Sequence, residues 1–147
     1  MCSPPSVRRD LQFAPSTDPR PAPVAAASPW ASVDDNCSPL RPVPVLAFHG
    51  TNDRLVDYDF GVNVFLGMAA ANGCDINAKE ISYQAGVTTC ESFTQCGTPG
   101  FNMTLCTAEG AGHRYWPGSP SLMTFPQNHD IQASEQMLTF FNKYQIE

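Results

Sequence analysis

The run VPVLAFH at residues 43–49, flanked by Pro42 on one side and Gly50 on the other, constrains this chain more than any other segment. It is too short for a self-sufficient helix and nearly continuous in apolar character. That combination reads as a strand covered on both faces, the habit of parallel sheets. Pro44 falls near its first residue, where a missing N–H is tolerated. The strand runs into the polar turn HGTND, which carries a single carboxylate, Asp53. In open parallel sheets the groups that do chemistry sit just beyond the carboxyl ends of the strands, and Asp53 falls at such an end.

The rest of the chain is ordered around that strand. Of the 14 prolines, ten lie in the first 44 residues, and no apolar periodicity appears before PVAAASPW. Residues 1–23 therefore read as a disordered or non-homologous segment, and residues 24–147 as the folding unit. From Phe60, FGVNVFLGMAAANGC sets Val64, Phe65, Met68 and Ala71 at helical spacing and stops at Asn72-Gly73, which predicts a helix with a glycine C-terminal signal. KEISYQ and FNMTLCTAEG alternate as strands, with TTCESFTQC reading as a loop between them. DIQASEQMLTFFNKYQ predicts a closing helix, with Ile131, Ser134, Leu138 and Phe141 on one face and Asp130 as N-cap. The expected order is strand, helix, strand, strand, helix.

Composition removes several function classes. The 147 residues allow one small domain or part of a larger one. The net charge of −6 arises from residue 45 onward, where ten acids meet four bases, so nucleic acid is not an expected partner. No stretch approaches the ~18 apolar residues of a membrane span, and the N-terminus lacks the basic-then-apolar order of a signal peptide. Six cysteines, at positions 2, 37, 74, 90, 96 and 106, nevertheless suit an oxidising compartment. Structural disulfides are the expectation and free buried thiols the competing reading. Zinc is disfavoured, because the clustered cysteines show no C-x-x-C and no paired histidines. Cys74, Cys90, Cys96 and Cys106 alone allow three full pairings, which the sequence leaves open. The sequons at Asn36 and Asn102 fit secretion.

A second strand-end turn, AEGAGHRYWPG, presents His113 between glycines and an aromatic pair. A carboxylate and an imidazole delivered from two strand ends are two parts of a nucleophilic catalyst: the carboxylate orients the ring, and the ring takes a proton from a hydroxyl. Each residue also has an ordinary role. Asp53 could simply close its turn by accepting backbone amides. His49 reads as a structural histidine satisfied by backbone, and His129 as a surface residue. Trp116 is a candidate substrate-groove residue, set against the commoner role of packing on its own turn. Ser119 and Ser121 follow His113, but neither sits between a strand and a helix as a nucleophile would.

On PVLAFHGTNDRLVDY, on NGC at 72–74 and on GAGHRYWPG, the chain resembles the C-terminal half of the secreted polyhydroxybutyrate depolymerase and feruloyl esterase family of α/β-hydrolases, over roughly residues 40–144. The resemblance implies an α/β fold: the C-terminal, incomplete part of an α/β-hydrolase parallel sheet with flanking helices. It makes Asp53 and His113 the acid and base of a catalytic triad, with no metal and no cofactor. The His113 turn carries one extra residue before Trp116. The nucleophile should lie upstream in a G-x-S-x-G elbow, and this chain contains no such motif. The expectation is therefore a fragment of a serine esterase, extracellular in its full-length parent, acting on feruloyl or acetyl esters of plant polysaccharide or on a polyester. Its principal partner is then the missing N-terminal half of the same domain. The alternative is a noncatalytic secreted module with Tyr115 and Trp116 facing carbohydrate or polymer; an exopeptidase is a weaker third reading.

Overall fold

The computed structural model describes residues 42–113 and 129–144. The expected boundary at residues 23 and 24 lies outside them, as do Cys2, Cys37, Tyr115 and Trp116. The elements are β1 (Val45–Gly50), α1 (Tyr58–Ala71), β2 (Lys79–Ala85), β3 (Thr88–Phe93), β4 (Met103–Ala108) and α2 (Ala133–Lys143).

The apolar run forms β1, whose Val45, Leu46, Phe48, His49 and Gly50 are all buried. Helix α1 begins where the Asp57 carboxylate accepts the Asp59 amide at 3.0 Å, an N-cap that also places negative charge at the positive end of the helix dipole. It ends at Asn72, followed by Gly73 at φ 67°, a left-handed residue that glycine adopts without a Cβ clash. The buried Asn72 carboxamide accepts the Val43 amide at 2.9 Å and donates to the Val43 carbonyl at 2.7 Å. The helix end is thereby fastened to the entry of β1.

The four strands form one sheet in the order β1-β4-β3-β2. β1 and β4 run parallel from Val45↔Met103 to Gly50↔Ala108, whereas β3 lies antiparallel to both β4 and β2. This corrects the expected architecture. The sheet is small and mixed, with one parallel pair, and is not the parallel α/β-hydrolase sheet with flanking helices that the sequence suggested. The segment responsible is β3, read from sequence as a loop. A two-residue turn with Gly86 at φ 51° folds it back on β2. Its inward positions, Thr88, Cys90 and Ser92, carry hydroxyls and a half-cystine instead of the apolar alternation that announces a strand.

Two disulfides settle the pairing of the four clustered cysteines. Cys90–Cys106 joins β3 to β4, and Cys74–Cys96 joins the end of α1 to the loop after β3. Closing 16 or 22 residues of chain in this way stabilises by about 3 kcal/mol each in the chain-entropy account.

The core lies on both faces of the sheet. Leu46, Phe48, Cys90, Cys106 and Ala108 pack with Ile131, Ala133 and Phe140 on the α2 side. Val45, Phe93 and Met103 pack with Phe65 and Ala69 on the α1 side. The stripe of α2 differs from the one expected. Ala133, Met137, Phe140, Phe141 and Tyr144 meet the core, and Leu138 is 63% exposed. Asp130 does not cap α2, whose N-cap is Gln132; its carboxylate instead accepts the Val87 amide at 2.7 Å and so closes the β2–β3 turn. Among the described residues no helix is long and apolar enough to cross a membrane.

Candidate active site

Parallel pairing with Gly50 opposite Ala108 brings the carboxyl ends of β1 and β4 level, so the turns that follow them are neighbours. They are stitched together by backbone. The Thr51 amide donates to the Ala108 carbonyl at 3.0 Å and the Asn52 amide to the Ala111 carbonyl at 2.9 Å. The Thr51 hydroxyl donates to Glu109 Oε1 at 3.0 Å and accepts the Gly110 amide at 2.8 Å. Glycine is required at position 50, because a Cβ there would collide with the Ala111 carbonyl. The two turns are thus held as one rigid platform.

Asp53 is buried on that platform, its side chain wholly inaccessible. Its two oxygens divide the work. Oδ1 accepts the Leu55 and Val56 amides, each at 2.9 Å, which closes the turn in the manner ordinary for aspartate. Oδ2 faces His113 Nδ1 at 2.8 Å. The turn-closing role and the imidazole-orienting geometry, alternatives from sequence, therefore coexist in one carboxylate. Burial by itself pushes the Asp53 carboxyl up, but the Val56 and Leu55 amides, with the hydrogen bond and charge of His113, outweigh it and hold the group below the ordinary aspartate value. Asp53 is an anion at neutral pH.

An anionic carboxylate can only accept, so His113 Nδ1 carries the proton and the neutral ring keeps its lone pair on Nε2. The His113 side chain is 37% exposed, against none for Asp53. A buried acceptor and an accessible ring form the arrangement in which a carboxylate fixes the tautomer and orientation of a base.

His49 is buried at the end of β1 and meets the Val56 carbonyl through Nε2 at 3.0 Å, the backbone-satisfied role expected of it. Sequence reasoning missed that the same Nε2 lies 3.4 Å from Asp53 Oδ2. The i, i+4 interval from His49 to Asp53 signals nothing in a turn, so only the fold reveals the contact. Tyr58 stands edge-on to the His49 ring and shares a 2.8 Å hydrogen bond with the Thr107 hydroxyl, tying the start of α1 to β4. His129 is exposed, as expected. Trp116, Ser119 and Ser121 lie outside the described residues. Among the described residues no group of three or more His, Cys, Asp or Glu side chains could hold a metal ion.

The chain is similar to a feruloyl esterase. It is 33% identical over 112 residues to Feruloyl esterase B of Piromyces equi, a match that covers 61% of this chain and 20% of that protein. The chain thus spans about a fifth of that relative's length. No family model matches. The likeness points toward esterases, and it does not reach the polyhydroxybutyrate depolymerases included in the resemblance above. The two disulfides fit a protein that folds in an oxidising compartment.

Proposed function

We propose that this chain carries the acid and base of a secreted serine carboxylic ester hydrolase, with Asp53 orienting His113 and the nucleophilic serine supplied by sequence outside it. The observation that carries the reading is the 2.8 Å contact between a fully buried carboxylate and a partly exposed imidazole at the ends of two parallel strands. A serine hydroxyl held about 2.6–3.2 Å from His113 Nε2 would give up its proton to that nitrogen as its oxygen attacks the ester carbonyl. Asp53 would stabilise the imidazolium so formed, and His113 would return the proton to the departing alcohol. Feruloyl or acetyl esters of plant polysaccharide are the proposed substrates, supported by the likeness to Feruloyl esterase B. Trp116 is proposed to contact the acyl or sugar portion.

The chain has no G-x-S-x-G, so by itself it should neither turn over methyl ferulate nor label with a fluorophosphonate. The test is to recover the coding sequence upstream of Met1, express the extended protein and compare it with its His113→Ala variant. An in-frame G-x-S-x-G, with turnover that falls on the order of 10⁴-fold or more in the variant, is the expected result. Extended protein whose turnover is unchanged by His113→Ala would overturn the assignment.

A further inference from the structure

We propose that His49 is a positioning residue for Asp53, holding in place, and as an anion, the carboxylate whose Oδ2 also meets His113; this rests on the reading of Asp53 and His113 as acid and base. Val56 C=O can only accept, so the 3.0 Å contact fixes the proton of His49 on Nε2. That one N–H acts twice. It holds the Val56 carbonyl, and so the peptide run whose Leu55 and Val56 amides donate to Asp53 Oδ1. The same Nε2 also lies 3.4 Å from Oδ2, outside a second hydrogen bond and close enough for the ring dipole to favour the anion. The titratable groups facing the carboxylate are then His49 from β1 and His113 from the turn after β4.

The ring cannot drift from this position. It is 4% exposed, Tyr58 stands edge-on to it, and helix α1 approaches so closely that a Cβ on Gly61 would collide with its Nδ1. Gly61 thus lets the first turn of α1 press His49 against the Asp53 turn. The dipeptide His49-Gly50 therefore does two jobs at the strand end. Its histidine controls the carboxylate, and its glycine admits the turn that brings the base.

The test follows the Asp53 carboxyl carbon by NMR as a function of pH in the whole chain and in two variants. His49→Phe keeps the ring volume and loses the donor; His49→Gln restores an N–H at the reach of Nε2. A positioning role predicts that the Asp53 midpoint moves upward in His49→Phe and returns toward the wild-type value in His49→Gln. An unmoved midpoint in His49→Phe, or an equal upward shift in both variants, would overturn the proposal, because packing alone then accounts for His49. Should His49→Phe fail to fold, the nitrogen shifts of neutral wild-type His49 decide. An Nε2–H tautomer supports the proposal and an Nδ1–H tautomer refutes it. None of these readouts uses ester turnover, so loss of the esterase reading and loss of the His49 role are separately visible.

Discussion

The two ends of the single sheet are built on different principles. β1 and β4 are joined in parallel across more than fifty residues of chain, β1 buried almost throughout and β4 alternating between buried and half-buried residues, with a helix on each face. β2 and β3 are joined by a two-residue turn, and β2 is exposed along most of its length. The first end relies on apolar burial and close backbone approach. The second relies on local chain, on covalent fastening to its neighbour through Cys90–Cys106 and on the core contacts of β3. Only the first carries the candidate site, because only parallel strands bring two carboxyl-terminal turns to the same edge. The outer hairpin carries no part of the candidate site and serves as a brace on β4.

The sharpest way to break this contrast is to empty the core at the buried end. Phe48→Ala, at a residue 1% exposed, should cost about 3–5 kcal/mol in urea denaturation, since its neighbours in the core, among them Cys106, Ile131 and Phe140, are held by the sheet and α2 and cannot collapse freely. Removing the brace comes next. Replacing Cys90 and Cys106 together by Ala should cost about 3 kcal/mol by the same measurement. In hydrogen exchange, the amides of β2 and β3 should open well before those of β1 and β4. Equal loss of protection at both ends would show that the sheet is one cooperative unit and the division false.

A smaller effect separates the ends by pH. Asp53 is depressed in the folded state, so between its folded value and the ordinary value of about 3.9 the unfolded chain binds more protons and stability rises with pH. The contribution is complete above that window and is lost as pH falls through the folded value. Asp53→Asn, at the buried end, should flatten the acid limb of stability against pH. The smallest effect belongs to the outer end. Lys79 and Glu91 pair at 2.8 Å with nearly half of each side chain exposed, so Lys79→Ala should change stability by no more than about 1 kcal/mol.

How much of this was legible beforehand depended on where the signals lay. β1 and the turns at Asp53 and His113 could be read because an apolar run bounded by proline and glycine has few other outcomes. β3 could not, since Ser92 is satisfied by 2.8 Å hydrogen bonds to Ser82 and Thr104, and Cys90 by its bond to Cys106. A strand whose buried face is made of hydroxyls and half-cystine leaves no hydrophobic alternation to detect. Missing it turned a mixed sheet into an expected parallel one. In α2, two stripes satisfy the helical period, and packing against Leu46, Phe48 and Ile131 selects Met137 with Phe140 over Leu138. Asp130 stood where an N-cap would stand, but the unpaired amide of the β2–β3 turn competes for the same carboxylate.

The central claim, that Asp53 sets His113 as a base, is tested most directly by the nitrogen chemical shifts of the His113 ring, measured where the imidazole is neutral, in the wild-type chain and in Asp53→Asn. The 2.8 Å contact predicts that wild-type His113 holds its proton on Nδ1 and that the variant, whose amide can donate to the ring, moves it to Nε2. The same tautomer in both proteins would contradict the claim.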